Sequence, residues 1–194
     1  MIQDLATQIQ IIKDLKKNKN FDNHTLSQLQ ELPTFNGICE LSFKKIKFYM
    51  LNLSSDDAVV LKYLWKNSYE ELSLSYWYEM TRQEGVFIDI GAHTGIYSII
   101  GNLNKKQNNI ISIEPYFINF ARLLSNLKIN NINTHNCILA AASNEKGFNK
   151  FNIKQEPYYH SAGGKLSKEG KFNVSKITID ELKIKKAVKG IKID

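Results

Sequence analysis

The stretch from Val86 to Gly95, VFIDIGAHTG, constrains the fold of this chain more than any other segment. It begins with a short, continuous apolar run, which is the pattern of a parallel strand covered on both faces. The run ends in Asp89, and two glycines, Gly91 and Gly95, follow four residues apart. A helical apolar pattern starts near Thr94. The stretch therefore predicts a strand, a tight glycine turn and a helix in succession.

The same succession of strand and helix continues along the chain. The segments predicted after the first strand, 86–90, are a helix over 94–103, a strand over 110–113, a helix over 117–130, a strand over 134–141, a short helix over 180–186 with Asp180 as its N-cap, and the start of a strand over 191–194. FNKFNI and FNVSKITI are predicted as antiparallel strands around a loop over 155–171. Repeated β-then-α units indicate an α/β fold with a parallel sheet and right-handed crossovers.

The first 80 residues have a different pattern and are predicted to be an N-terminal helical and β-hairpin extension of an α/β domain over 81–194. Apolar residues at helical spacing predict helices within 1–32, the second of them capped by Thr25. Partial alternation between Gly37 and Leu53 predicts the hairpin. The apolar stripe of the first helix can pack on its own domain or on a second copy, or bind a partner or a membrane surface.

A third helix is predicted after the hairpin. Ser54 or Ser55 is the expected cap, with Asp56 and Asp57 in the first turn, where acidic side chains favour the helix dipole. The dense aromatic residues that follow suit either core packing or the stacking of a sugar or base. The aromatic residues are Tyr63, Trp65, Tyr69, Tyr76, Trp77 and Tyr78.

Charge and cysteine content limit the partners and the compartment. The net charge of +7 arises from 26 Lys and Arg against 19 Asp and Glu, but no basic stripe interleaves with aromatic residues, so no specific nucleic-acid partner is expected. Cys39 and Cys137 lack metal-site spacing and are expected to be buried thiols of a reducing compartment. No apolar run has the length of a membrane span or signal peptide, so a cytoplasmic location is expected.

The glycine turn does not suit the common nucleotides. The phosphate-binding P-loop motif, Gly-x-x-x-x-Gly-Lys-Ser/Thr, is absent from the chain. In the dinucleotide fingerprint, Gly-x-Gly-x-x-Gly, the first glycine is here replaced by Asp89, and a carboxylate is unfavourable beside an anionic pyrophosphate. The turn therefore suits an adenosine-like ligand that carries positive charge, and S-adenosylmethionine fits that description.

Each part of the turn has an expected role toward this cofactor. Asp89 can receive the ligand ammonium or order the loop, Gly91 allows close approach of the backbone, and the helix start near Thr94 offers N–H groups to the methionine carboxylate. The loop residues predicted to bind the cofactor are Asp89, Gly91, Ala92, His93, Thr94 and Gly95.

The ends of the next two strands supply the adenosine contacts. Glu114 follows the second strand and is expected to accept hydrogen bonds from the ribose hydroxyls. Pro115 and Tyr116 are expected to flank the adenine, and Ala141 and Ala142 to leave room for its ring. The three strand ends are expected to lie side by side.

Catalytic candidates are few. Asp194 is the candidate general base or acceptor-orienting group, and its alternative is a strand-end carboxylate that orders the cofactor site. His93 can be catalytic or can contribute only its backbone N–H. His160 lies in a loop and is either a general base or an exposed loop residue. No carboxylate cluster suggests a metal site, so none is expected.

Four segments together resemble the FkbM-type methyltransferases: FIDIGAHTGIYSI, IISIEPYFINFARLLSNLKINNI, ILAAASNEKG, and ITIDEL with the terminal IKID. The resemblance covers about residues 69–194. It implies a Rossmann-like class I methyltransferase sheet with strand order 3-2-1-4-5-7-6, S-adenosylmethionine as methyl donor, and O-methylation of a hydroxyl on a sugar, glycan or secondary metabolite. Asp89, Gly91 and Gly95 match the cofactor loop of the family. The other matching residues are Glu114, Ala141, Lys192 and Asp194.

The sequence departs from the family pattern after Asp194. The strands that follow the fourth strand in the family are missing, so the chain is expected to be truncated, with its fourth strand as an exposed edge. That edge or the N-terminal helices could form a homo-oligomer. The alternatives are an RNA or protein methyltransferase, or an inactive cofactor-binding remnant that acts as an oligomeric scaffold.

Overall fold

The computed structural model describes residues 5–53, 55–105, 108–153 and 164–194, and the chain divides into two compact units, 1–71 and 72–194. The elements of the first unit are the helices α1 (Leu5–Asn18), α2 (Leu26–Gln30) and α3 (Ala58–Lys66) and the strands β1 (Gly37–Phe43) and β2 (Ile46–Asn52). The two strands pair antiparallel, so the predicted hairpin is confirmed. Alternate residues of the hairpin are buried, which gives this unit an apolar core on one face of the ribbon.

Of two predicted helix caps, one is confirmed and one is wrong. Thr25 caps α2 through a capping box with Gln28, as predicted. The N-cap of α3 is Asp57 rather than a serine; its Oδ1 accepts hydrogen bonds from the N–H groups of Val59 at 2.8 Å and Val60 at 3.4 Å. Ser54 lies outside the described residues. The buried Asp57 carboxylate directly precedes the helix and can reach both N–H groups, which explains why it caps.

The first helix packs within its own unit. Ile12 is buried, and Lys16 Nζ donates to Leu64 O at 2.6 Å and to Asn67 Oδ1 at 2.6 Å at the end of α3. At least part of the apolar stripe of α1 is therefore covered by the unit itself.

The second unit contains a parallel sheet with helices beside it. Its helices are α4 (Glu71–Thr81, beginning at the boundary), α5 (Ile96–Asn104) and α6 (Phe117–Ile129), and its parallel strands are β3 (Val86–Ile90), β4 (Asn109–Ile113), β5 (Cys137–Ile138) and β10 (Val188–Ile193). The strand order is β10-β3-β4-β5. The fold is thus mixed α/β with a parallel sheet, and the strand predicted over 86–90 is confirmed.

Both faces of the parallel sheet are covered. On one face, Val86 and Ile88 belong to an apolar cluster to which Ile179, Leu182 and Ile184 pack. On the other, Phe87 meets the ring of Trp77 from α4, and Trp77 Nε1 donates to the carbonyl oxygen of Tyr97 at 2.8 Å. Trp77 is fully buried and therefore serves the core, whereas the neighbouring Tyr76 is largely exposed.

A second sheet follows the third parallel strand. Its strands are β6 (Ala141–Ala142), β7 (Gly147–Asn152), β8 (Lys165–Ser167) and β9 (Phe172–Ile177), in the order β6-β9-β7-β8. β7 and β9 pair antiparallel, as predicted for FNKFNI and FNVSKITI. β8 lies within the segment predicted as a loop, of which residues 154–163 fall outside the described part of the chain.

Three predicted boundaries in this unit are wrong. The strand predicted over 134–141 is split between the two sheets, because Cys137–Ile138 pairs with β4 and Ala141–Ala142 with β9. The predicted helix over 180–186 is a 3₁₀ helix, Ile179–Leu182, capped by Thr178 rather than Asp180; Glu181 closes the capping box. Helix α5 begins at Ile96, after its N-cap Gly95, rather than near Thr94.

We predict that Asp57→Ala destabilises the N-terminal unit by about 1–2 kcal/mol, because two N–H groups at the start of α3 lose their buried acceptor. Hydrogen exchange of the α3 amides measures this change as a loss of protection. Asp57→Asn is the matched control, since its side-chain oxygen still accepts, and it should retain most of the protection. Equal exchange in both variants would show that Asp57 does not stabilise the helix as its cap.

Candidate functional site

The order of the parallel strands creates a natural binding position. From β3 the chain proceeds to β4 and then β5 on one side, whereas β10 lies on the other side of β3. In open parallel sheets, ligands bind at the carboxyl ends of the strands where the strand order reverses in this way. Here that point lies between the ends of β3 and β10, where Gly91 and Asp194 follow their strands.

The loop Gly91–Gly95 is held to the neighbouring strand by its backbone. The N–H groups of Gly91 and Ala92 both donate to the carbonyl oxygen of Ile113, at 2.9 and 3.0 Å. Gly91, His93 and Gly95 have positive φ angles of 73°, 51° and 103°. A histidine in the left-handed region stores conformational strain, and such strain is concentrated at functional sites.

The two glycines have different reasons to be glycine. A Cβ at Gly91 would lie 3.1 Å from the Cβ of Asp194, so this residue allows the end of β10 to approach the loop. A Cβ at Gly95 would lie 2.6 Å from Leu123 Cδ1, so this one allows α6 to pack against the start of α5. The absence of a side chain at Gly91 therefore lets the end of β10 approach the loop, and it also leaves the loop backbone accessible at the strand edge.

Glu114 connects the loop to the end of β4. Its side chain is only 4% exposed; Oε2 accepts the His93 N–H at 2.8 Å, and Oε1 accepts the Tyr116 N–H at 2.9 Å and Asn119 Nδ2 at 3.4 Å. Burial raises the pKa of Glu114 above its ordinary value, and the backbone donors partly offset that effect. Glu114 is thus bonded to the loop that follows β3, the strand that contains Asp89.

Asp89 lies on β3, two residues before the loop, and is fully buried. Its Oδ2 accepts the Ser98 hydroxyl at 2.6 Å, and Ser98 Oγ lies 2.7 Å from Ser112 Oγ on β4. Burial raises the pKa of Asp89, and the Lys192 ammonium, 3.6 Å from Oδ1, opposes that effect. Of the two roles expected for Asp89, this position favours ordering the loop over direct contact with a ligand.

Asp194 joins the same edge from β10. Its N–H donates to the carbonyl oxygen of Ile90 at 3.1 Å, which extends the pairing of β10 with β3, while its side chain is 65% exposed. Asp194 therefore presents a carboxylate to solvent beside the loop. Its exposure suits a general base or an acceptor-orienting group, whereas its bonds to Ile90 and Lys192 suit the alternative, a strand-end carboxylate that orders the site.

The residues expected around the adenine are placed less uniformly. Tyr116 and Ala141 are buried in one apolar cluster with Phe151 and Val174, so the tyrosine ring packs mainly against protein. Pro115 and Ala142 are partly exposed. Pro115 and Tyr116 follow β4, as expected, but Ala141 and Ala142 pair with β9 in the second sheet, and side chains of that sheet surround Tyr116.

The sequence interpretation missed Phe117, which was assigned only to the start of a helix. Its ring is 51% exposed, and its centroid lies 5.3 Å from that of Tyr116 and 5.7 Å from that of Phe172. A half-exposed aromatic face directly after Glu114 and Pro115 is available for stacking. Its position two residues after Pro115, at the loop-to-helix junction, was the available signal.

The described contacts of His93 and Thr94 are with other groups of the protein. His93 donates its backbone N–H to Glu114, and its Nδ1 lies 3.2 Å from Thr94 Oγ1. Thr94 is buried, and its carbonyl oxygen accepts Asn126 Nδ2 at 2.8 Å. His160 lies outside the described residues.

The cysteines and carboxylates outside the loop add little chemistry. Both cysteines are free; Cys39 is buried, whereas Cys137 is only partly so, and burial raises the pKa of Cys137 to about 11. Within the described ranges, no group of three or more His, Cys, Asp or Glu side chains is arranged to hold a metal ion. No helix in those ranges is both long and apolar enough to cross a bilayer.

No protein-family model matches the chain, and comparisons with curated proteins and with solved structures found no significant match. The geometry of the sheet edge and the residues that form it are therefore the basis for assigning a function.

We predict that Glu114→Gln lowers the free energy of unfolding by about 2 kcal/mol at neutral pH, because the amide retains one oxygen and turns an NH₂ group toward a backbone donor. The folded chain binds the Glu114 proton more tightly than the unfolded chain, so this group's contribution to stability falls as pH rises from its ordinary pKa through its raised pKa. Since glutamine does not titrate, the difference in unfolding free energy between the parent and Glu114→Gln should become smaller as pH rises. Urea denaturation at several pH values measures it.

The exposed Glu169→Gln provides the control for this measurement and should leave the unfolding free energy unchanged. A Glu114→Gln protein as stable as the control, or a difference that widens with pH, would contradict the role assigned to this carboxylate.

Proposed function

We propose that this chain is an S-adenosylmethionine-dependent methyltransferase of the FkbM type, with a Rossmann-like class I methyltransferase sheet, that acts on a hydroxyl oxygen of a sugar, glycan or secondary metabolite. One observation carries the proposal: the buried carboxylate at the end of β4, Glu114, is bonded to the backbone of the glycine loop after β3. This arrangement lies at the reversal of strand order, where a nucleoside ligand is expected in a parallel sheet.

The charges at this edge favour a cationic adenosyl ligand over a pyrophosphate. The carboxylates of Asp89 and Asp194 both lie within 4 Å of the Lys192 ammonium, and the carboxylate of Glu114 is bonded to the glycine loop at the same edge. An anion placed here would meet net negative charge at short range, where Coulomb interactions are strongest. The sulfonium and ammonium of S-adenosylmethionine complement the site, whereas the pyrophosphate of NAD does not.

Glu114 retains capacity for a ribose hydroxyl. A carboxylate has about four acceptor positions, and among the described residues three donors occupy Glu114: the N–H groups of His93 and Tyr116 and the amide of Asn119. The Asn119 bond is the longest of the three at 3.4 Å and is the easiest to replace. One hydroxyl can use the vacant position and a second can displace Asn119, which supports the proposed ribose contact.

The exposed face of Phe117 is the proposed adenine platform. Pro115, Tyr116, Ala141 and Ala142 were expected to contact the adenine. Because Tyr116 and Ala141 are already packed in an apolar cluster, we add the Phe117 ring to this proposed contact surface. An aromatic ring that is half exposed beside the ribose carboxylate provides a flat apolar surface for a base.

When bound, S-adenosylmethionine supplies a sulfonium methyl group and leaves as a neutral thioether. The chain's own contribution is to position the acceptor and to take its proton. Asp194 is the proposed group for that step, because its carboxylate is exposed at the end of β10 and Lys192 Nζ, 3.3 Å from Oδ2, fixes its direction. The remaining loop residues bind and orient the cofactor and the acceptor. Most of the rate enhancement is expected to come from that positioning.

One observation favours a second candidate, a cofactor-binding scaffold. Within the described residues β10 pairs only with β3, and Ile191 and Ile193 on this edge strand are exposed, the latter by 73%. Unpaired edges with exposed apolar residues promote association with another chain, in keeping with the homo-oligomer suggested by the sequence. The two candidates differ in methyl transfer to hydroxyl acceptors, which only the enzyme performs; transfer to RNA or protein instead would indicate a different acceptor class.

We predict that isothermal titration detects binding of S-adenosylmethionine and S-adenosylhomocysteine but not of NAD. Glu114→Gln should weaken binding of S-adenosylhomocysteine by about tenfold, because one acceptor for the ribose is lost. Glu169→Gln is again the control and should bind as the parent does. Binding of NAD in preference to the adenosyl ligands, or equal affinity in both variants, would contradict the proposal.

A further inference from the structure

The ammonium of Lys192 is enclosed at the point where β10, β3 and the glycine loop meet. Its side chain is 14% exposed, and Nζ lies 3.0 Å from the carbonyl oxygen of Gly91, 3.3 Å from Asp194 Oδ2 and 3.6 Å from Asp89 Oδ1. Nζ also lies 4.8 Å from the ring centroid of Tyr97 on α5. Three acceptors thus face the three N–H bonds of one ammonium, and an aromatic face lies beside it.

The register of the sheet explains why these groups meet. Lys192 is paired with Asp89, Asp89 with Ser112, and Ser112 with Cys137 across the four parallel strands. Residues paired in register point to the same face of a sheet, so the four side chains form one polar row beside α5. Ser98 of α5 adds its hydroxyl to this row by donating to Asp89.

We propose that Lys192 is a positioning residue of this site: its ammonium is the internal counter-ion of Asp89, and it fixes the Gly91 carbonyl and the Asp194 carboxylate that a ligand meets. The inference deepens the proposed function and rests on it for the identity of the ligand. The ion pair itself does not depend on that identity. Lys192 acts through Asp89, Gly91 and Asp194 and is not assigned contact with the reacting atoms.

The Asp89 charge has no other compensation among the described residues. Oδ2 is satisfied by Ser98, whereas Oδ1 is buried and has no hydrogen-bond partner within the described ranges. Loss of the cation beside a buried carboxylate strongly destabilises the folded state, whereas loss of one partner of an exposed ion pair has little effect. Because Lys192 neutralises Asp89, the ligand does not have to do so. The positive charge of the ligand is then expected to face the exposed carboxylate of Asp194.

The other groups that face Asp89 do not replace Lys192. Asp194, which follows β10, has the same sign as Asp89, and burial raises the pKa of the Cys137 thiol on β5, so Cys137 supplies no positive charge. Ser98 and Ser112 contribute hydroxyl groups without charge. Removal of the ammonium therefore leaves Asp89 either charged and unpaired or protonated.

A double-mutant cycle on the full chain tests the ion pair. Lys192→Met should raise the unfolding equilibrium constant by about 100-fold at neutral pH, and in the Asp89→Asn background the same change should raise it by less than about tenfold, since no buried charge is left unpaired. Lys189→Met, an exposed lysine on the same strand, should change it little. An equal loss from Lys192→Met in both backgrounds would overturn the inference.

The pH dependence gives a second readout of the same pair. Without Lys192 the pKa of folded Asp89 moves further above its unfolded value, so the mutant regains stability as pH falls through that raised pKa. The difference between the parent and Lys192→Met should therefore shrink toward acidic pH. A difference that is independent of pH, or one that grows on acidification, would indicate a role in packing alone.

The positioning role is tested on the double variant Asp89→Asn, Lys192→Met, which remains folded if the cycle behaves as expected. Its affinity for S-adenosylhomocysteine should be about tenfold or more below that of Asp89→Asn alone, because the Gly91 carbonyl and Asp194 lose their common donor. Equal affinity of Asp89→Asn and the double variant would reduce Lys192 to a structural residue. If the parent chain binds no adenosyl ligand, the proposed function fails, whereas the cycle still decides whether the ion pair exists.

Discussion

The hydrogen bond from the His93 N–H to Glu114 fixes the glycine loop to the end of β4 through a side chain, in addition to the backbone bonds from Gly91 and Ala92 to Ile113. The donor belongs to the glycine loop after β3 and the acceptor follows β4, so one carboxylate fixes the loop against the neighbouring strand. Burial of that carboxylate is unfavourable by itself, and the N–H groups of His93 and Tyr116 offset much of the desolvation. The geometry of the proposed ribose site therefore depends on backbone donors as much as on the acidic side chain.

The three acidic residues at this edge differ in how their negative charge is compensated. Glu114 is balanced by backbone N–H groups and Asp89 by the Lys192 ammonium, whereas Asp194 remains exposed to solvent. The two compensated carboxylates hold the loop in place, and the exposed one is accessible from solvent. In the proposed function, this division separates binding of the cofactor from removal of the acceptor proton.

The elements that the sequence predicted well are those whose signals are local. The apolar run ending in Asp89 and the two glycines with positive φ define β3 and its turn, and the alternation before residue 53 defines the hairpin. The N-cap of α3 was misassigned because SSDD offers four consecutive capping residues, and only burial and reach select Asp57.

The features that the sequence could not predict depend on distant partners. Residues 134–141 have one apolar pattern, but Cys137–Ile138 and Ala141–Ala142 enter different sheets, a choice made by pairing with β4 and β9. Lys192 matched a family motif, yet its contact with Gly91 joins residues 101 positions apart. Such contacts follow from sheet register, which a single sequence specifies only weakly where strands are short. The resemblance to the FkbM-type methyltransferases remains a prediction.

The most direct test of the central claim, that the glycine loop and Glu114 form an adenosyl site, is a titration of ¹⁵N-labelled protein with S-adenosylhomocysteine followed by backbone amide resonances. The account predicts that the largest shifts occur at Gly91, His93, Gly95 and Tyr116, whose amides line or support the ribose and loop contacts. Saturable shifts confined to other parts of the chain, or unchanged loop resonances at concentrations that saturate binding, would contradict it.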